Sequence, residues 1–168
     1  SGIRKVFDLA QKIKNPINLS IGQPDFDVPD EIKQEAVRAI ESGFNRYTIT
    51  QGIPELSEKV LQKVKTEQDI ICNSIMITSG VAGALTLAFL VLINPGDEIL
   101  VPDPYFVSFK HLIKFCGGDI KYIDTYPDFE LTPDRVLSSI SSRSKILLIN
   151  SPSNPTGVVC KPQHIIEI

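Results

Sequence analysis

The chain has 168 residues, 42% apolar and 22% charged, which suits one domain with a sizeable core or a piece of something larger. Its net charge is −3, from 17 basic and 20 acidic residues with no basic cluster, so nucleic acid is not the expected partner. The longest apolar run, Val81 to Ile93, contains a glycine and a threonine and falls short of the roughly 20 residues that span a bilayer, so no membrane role is expected.

No signal peptide is visible, and the chain opens Ser1-Gly2 without a methionine, so residue 1 is not expected to be the natural start. Cys72, Cys116 and Cys160 lie far apart in sequence. That spacing predicts buried thiols in a reducing, cytoplasmic compartment and no disulfide framework.

Residues 2–14 place Ile3, Val6, Phe7, Ala10 and Ile13 at helical spacing, which predicts an amphipathic helix or arm. Asn18 to Ile21 reads as a short extended piece, broken by the loop Gly22-Gln-Pro-Asp-Phe-Asp-Val-Pro29. Asp27 or Asp30 is placed to cap the next helix, with Pro29 near its first turn and Ile32, Ala36, Val37 and Ile40 facing inward. Ser42-Gly43 ends it. An irregular connection over 44–53 carries Tyr47, and Pro54-Glu55 opens a helix with Leu56, Val60, Leu61 and Val64 on one face.

From residue 75 the rhythm changes. Ile75–Thr78 reads as a short strand, and Gly80–Ile93 as a helix with almost no polar face, hence a buried one. Asn94–Asp97 is a turn, Glu98–Val101 a second strand, 106–116 a helix and Asp119–Asp124 a third strand. Thr132–Ser141 is a further helix and Lys145–Ile149 the fourth strand. Such alternation without hairpin signals implies an α/β fold, a mainly parallel sheet with helices on both faces.

The loops leaving the C-terminal ends of parallel strands share one edge, where ligands of this fold class bind. Three loops qualify. Ser79-Gly-Val-Ala82 opens a helix whose first N–H groups favour an anion, phosphate above all, although a plain helix start reads the same way. Pro102-Asp-Pro-Tyr-Phe106 offers a proline able to take a cis bond and an aromatic ring for a flat ligand, or simply a cover for the core. Asn150-Ser-Pro-Ser-Asn-Pro-Thr-Gly157 ends an apolar strand, and Asn154 there either binds a ring substituent or closes an Asx turn. His111 and His164 lack partners at metal spacing and read as structural or surface residues, so no metal site is expected.

Taken in order, Leu19-Ser-Ile-Gly-Gln-Pro-Asp-Phe26, Tyr47 with Gly52-Ile-Pro-Glu-Leu56, Ser79-Gly80 with Ala84-Leu85, Pro95-Gly-Asp-Glu98, Asp103-Pro-Tyr-Phe106 and Asn154-Pro-Thr-Gly157 resemble the fold-type I pyridoxal-phosphate aminotransferases of class I/II. The arm at Ser1–Lys5 and the Phe106-Val-Ser-Phe109 pattern look most like the branch of aspartate, aromatic and broad-range aminotransferases.

The resemblance implies roles by position. Asn154 would bond the 3-hydroxyl oxygen of the cofactor ring, with a cis Asn154–Pro155 bond, and Phe106 would stack on the pyridine ring beside its neighbour Tyr105. The N–H groups of Val81 and Ala82 would hold the phosphate. Tyr47 would reach the phosphate of the other subunit's cofactor, implying a homodimer with shared sites. Gly22 would lie against the substrate carboxylate, and Ile3 would fold over the site. Residues 1–28 would be an N-terminal arm of the small domain, and 29–168 the first part of the cofactor-binding large domain.

In the family the lysine that forms the Schiff base, the Asp that pairs with the pyridine nitrogen and the Arg that binds the substrate carboxylate lie beyond the match. None is assigned here, and Lys161 is not put in the lysine's place. The expectation is a parent enzyme that exchanges an amino group between an amino acid and a 2-oxo acid, with the 168 residues inactive alone. A lyase of the same fold and cofactor, or a non-catalytic fragment, are the rival readings.

Overall fold

The computed structural model describes residues 8–17, 22 and 24–168. The chain divides into two compact units, Ser1–Thr48 and Ile49–Ile168.

In the first unit, residues 8–10 are helical, while the rest of the predicted arm before them, Ile3 included, and the Asn18–Ile21 stretch lie outside the described residues. Helix α1, Asp30–Glu41, starts after Pro29 and carries no side-chain cap. Neither Asp27 nor Asp30 caps it. Both carboxylates pair instead with Lys33, at 2.6 and 3.3 Å, because a lysine one turn into the helix competes for them. Ser42 and left-handed Gly43 close the helix, with Ser42 N–H on Arg38 and Gly43 N–H on Ile40. The expectation that Ile32, Val37 and Ile40 face inward fails. All three are exposed, since none of the described residues of this unit covers that side.

In the second unit, helix α2 spans Pro54–Gln68, with Pro54 in its first turn, where a missing N–H costs nothing, and left-handed Asp69 after its end. Val60, Leu61 and Val64 are half-buried, whereas Leu56 is exposed. Ile75–Thr78 is not a strand. Ile77 N–H bonds Gln51 O at 2.9 Å, and no strand pairs with the segment among the described residues. Apolar, β-prone residues make a strand only when another backbone lies alongside.

The sheet has three strands, β1 (Glu98–Asp103), β2 (Asp119–Asp124) and β3 (Ser144–Leu147), in the order β2-β1-β3, all parallel. Helices α3 (Gly80–Leu92), α4 (Ser108–Phe115), α5 (Pro133–Ser139) and α6 (Pro162–Glu167) complete the unit. Along central β1 the side chains alternate between two cores. Ile99 and Val101 join Phe89 and Ile93 from the α3 side and Phe109 and Ile113 of α4. Leu100 joins Ile123, Leu131 and Val136 of α5. Helices thus cover both faces, as expected. The chain moves from β1 to β2 by α4 on one face, then back past β1 to β3 by α5 on the other. A crossover that keeps one hand must change face when it reverses direction.

Two burial expectations are corrected. Helix α3 is not buried all round: Phe89 is in the core, while Leu87, Leu90 and Val91 are exposed, Val91 at 83%. One side packs on β1 and α4, and no described element covers the other. Cys72 is exposed in the irregular stretch after α2, whereas Cys116 and Cys160 are half-buried against the two cores.

At the N-terminal edge of the sheet, Glu98 is only 7% exposed. Its carboxylate accepts from Arg143 at 2.5 Å and Ser141 Oγ at 2.6 Å. Arg143 also reaches Asp119, at 3.3 Å, and Lys114 bonds Asp119 at 2.8 Å, which holds the Asp119 carboxyl below its usual range. Beyond β2, Arg135 ties down the connecting loop through Asp128, Glu130 O and Tyr126 O.

Candidate functional site

The opposite, C-terminal edge of the sheet carries the candidate site. The chain leaves β1 toward α4 on one face, and leaves β3 toward α6, which packs with α5 on the other. Neighbouring strands whose continuations part in this way open a crevice between their ends, the usual ligand position in such sheets. A cavity of about 190 Å³ lies there, lined by Val81, Ala82, Leu85, Phe106, Ser108, Phe109, Leu112, Asn150 and Asn154.

One wall is the start of α3. Gly80 has a φ of 66°, open to glycine and strained for most other residues. Its N–H turns back to Thr78 O at 2.8 Å, and Gly83 N–H bonds Ser79 O at 3.3 Å. Val81 and Ala82 stand between these, too early in the helix for an i−4 partner inside it, and Ser79 gives no side-chain cap. Among the described residues their N–H groups donate to nothing, which leaves two donors and the positive end of a helix dipole for an anion.

The second wall follows β1. The Asp103–Pro104 bond is cis. Phe106 is 39% exposed and meets the buried Phe109 edge-on, with centroids 5.7 Å apart and planes at 77°. That contact fixes the ring by one side and leaves part of it to the cavity. Tyr105 turns elsewhere. Its ring stacks on Tyr122 at 5.3 Å, with the hydroxyls 3.1 Å apart. The bond to Tyr122, helped by desolvation, raises the Tyr105 pKa.

The third wall is the loop after β3, where Ser151–Pro152 and Asn154–Pro155 are both cis. Gly157 N–H bonds Ser153 O at 2.7 Å, and Ser153 N–H bonds Val158 O at 2.9 Å. The Asx-type bonds of this loop are made by Asn150, through Asn154 N–H and Pro152 O. The Asn154 side-chain amide makes no hydrogen bond among the described residues. Of the two readings open for Asn154, the turn-closing one belongs to its neighbour.

Val81, Ala82, Phe106 and Asn154, widely spaced in sequence, are therefore brought to one cavity. Gly22 and Tyr47 belong to the first unit. A Cβ added at Gly22 would meet nothing within 4 Å, and Tyr47 is fully exposed. Leu85, Ser108, Leu112 and Asn150 also line the cavity without having been singled out for it. Leu85 and Leu112 fall four residues after Val81 and Ser108, so helical spacing alone would have placed them on the same faces. His111 and His164 lie in α4 and α6, and no group of three or more His, Cys, Asp or Glu that could hold a metal occurs among the described residues. No helix among them is long and apolar enough to cross a membrane.

Fold and cavity together define a crevice at the sheet edge with free N–H donors on one wall and a part-exposed aromatic ring on another. The sequence profile described as aminotransferase class I and II matches residues 14–168, and the chain belongs to that family. It is 43% identical over 167 residues to a probable aspartate aminotransferase of Methanocaldococcus jannaschii, covering 98% of this chain and 44% of that protein. It is 37% identical to aromatic-amino-acid aminotransferase 2 of Thermococcus litoralis, again over 44% of the latter's length. Among solved structures, the aspartate aminotransferase of Thermus thermophilus with maleate matches 99% of this chain and 45% of its own, with a TM-score of 0.91 at 34% identity. The chain thus spans less than half the length of these relatives.

Proposed function

We propose that the protein to which these residues belong moves an amino group between an L-amino acid and a 2-oxo acid with pyridoxal 5'-phosphate. One observation carries the reading: a single cavity combines free N–H donors at a helix start, a half-open aromatic ring and an unpaired side-chain amide. A phosphate, a planar ring and a polar ring substituent are three parts of that cofactor besides its reactive aldehyde, and the residues present fit these three. When bound, the cofactor draws electrons from the amino acid's Cα, so that a proton can leave and the amino group can change owner.

The chain's own residues hold and orient. Val81 and Ala82 N–H groups take the phosphate, aided by the α3 dipole. Phe106 offers its open face to the ring, and the Asn154 amide donates to the ring oxygen. The apolar lining from Leu85 and Leu112 keeps water from these bonds and so strengthens them.

The finer assignments are inferred from the resemblance. Gly22 lies by the substrate carboxylate, Tyr47 reaches the phosphate in a partner subunit, and the enzyme is a cytoplasmic homodimer with shared sites. Residues 1–28 form the arm and 29–168 the start of the cofactor domain. The lysine that anchors the cofactor in the family is assigned to none of these residues.

The test is an amino-group exchange assay on the full-length protein, with and without a 2-oxo acid acceptor. Exchange that depends on the acceptor is expected. Release of pyruvate and ammonia with no acceptor present would identify a lyase and sink the reading.

A further inference from the structure

Asn150 is the last residue before the β3 loop bends, and the reading above gives it no task. Its Oδ1 accepts the Asn154 N–H at 3.0 Å, and its Nδ2 donates to Pro152 O at 3.3 Å. A backbone N–H can only donate and a carbonyl can only accept, so these partners admit one orientation of the amide. Asn150 is half-buried, and both asparagines line the cavity. One of them holds the loop, while the other keeps its amide free.

We propose that Asn150 is a positioning residue for the cofactor site: by clasping Asn154 N–H and Pro152 O, it sets the point from which the Asn154 amide meets the cofactor ring. The role rests on the reading of the cavity as a pyridoxal-phosphate site. It needs no contact between Asn150 and the cofactor, because the effect passes through the backbone of Asn154. It also explains the residue type. Aspartate would keep the acceptor for Asn154 N–H but set a second acceptor against Pro152 O. Leucine would fill the space and hold neither group.

The experiment titrates full-length apoenzyme with pyridoxal phosphate, and also follows the absorbance of the bound cofactor against pH. Asn154→Ala and Asn150→Ala should each weaken cofactor binding about tenfold, the loss of one or two hydrogen bonds. In the Asn154→Ala background, Asn150→Ala should cost no more than about a further twofold, because the group it positions is gone. The pH midpoint of the absorbance should rise in both single variants, since a donor to the ring oxygen favours its ionised form. Asn150→Asp should fall between wild type and Asn150→Ala, and it carries the same cycle if Asn150→Ala does not fold.

Equal losses from Asn150→Ala in both backgrounds, or none in either, would overturn the positioning role while leaving the site intact. If Asn154→Ala itself moves neither affinity nor midpoint, the reading of the cavity fails and the role of Asn150 goes with it.

Discussion

Replacing Phe106, a residue 39% exposed, with alanine removes a ring that rests edge-on against Phe109 at 5.7 Å. Two losses follow, and they can be measured apart. Truncating a fully buried phenylalanine costs about 3–5 kcal/mol; with more than half of this residue covered, roughly 2–3 kcal/mol of stability should go. The second loss is the aromatic contact with a bound ring, about 0.5–1.5 kcal/mol beyond buried area. At 1.4 kcal/mol per tenfold, that is about a 2- to 12-fold rise in the cofactor dissociation constant. Absorbance titration of the full-length apoenzyme reads the second term, and a urea midpoint without cofactor reads the first. Phe106→Leu separates them further, keeping most of the apolar volume but no π face. Its stability should stay closer to wild type while its cofactor affinity still drops. If both variants lose stability and neither loses affinity, Phe106 merely covers Phe109 and the stacking role is wrong.

Other outcomes can be checked on the same full-length protein. Gly118→Ala would set a Cβ 2.7 Å from Ile99 Cδ1 and 3.1 Å from Ile113 and Ile93, costing about 1–3 kcal/mol; Ile99→Val should relieve it, and a neutral Gly118→Ala in thermal melts would contradict the packing. Arg143→Met leaves the buried Glu98 carboxylate with only Ser141, a loss of about 1–3 kcal/mol after allowing for the exposure of the guanidinium. Adding Glu98→Met should restore part of it, and a double variant no better than the single one in urea would count against the pair. The hydrogen bond from Arg135 holds the Asp128 carboxyl below its usual range. A depressed folded pKa gives stability above the unfolded value of about 3.9, lost as pH falls through the folded one. The gap between wild type and Asp128→Asn should therefore be full at pH 7 and narrow as pH falls below that unfolded value, and a gap that holds or widens would refute the linkage.

The fold was largely legible where the chain carries its own partners. Apolar runs bounded by Pro, Gly and Asp located β1, β2 and β3 and the helices between them, since alternation of strand and helix leaves few ways to bury both. Ile75–Thr78 was misread because its composition says strand, while only a neighbouring backbone makes one. Helix α3 was misread for a related reason: an apolar periphery predicts burial, but burial needs a cover on each side. The candidate site was legible as three loops, two of which leave strands of the sheet, and the cavity gathers residues from all of them. What the string of residues did not disclose was the division of labour between two asparagines four apart. Either could close the loop, and only the hydrogen bonds tell Asn150 from Asn154.

The pairing of β3 with β1 also sets a gauge. Ile99 faces Ile146, Leu100 faces Leu147, and Leu148 N–H continues the ladder to Leu100 O at 2.9 Å. Phe106 and Asn154 are therefore mounted like the jaws of a caliper on strands about 4.8 Å apart. The count of residues from Ile146 to Asn154 matters as much as their identity. One residue inserted within β3 would turn its side chains to the opposite core and advance the loop by about 3.3 Å. The turn at 141–143 before β3 lies outside that interval, yet Ser141 and Arg143 tie it to Glu98, so its length bears on stability and not on the gap. Length variation in this chain should accordingly spare the short tract that carries the jaws.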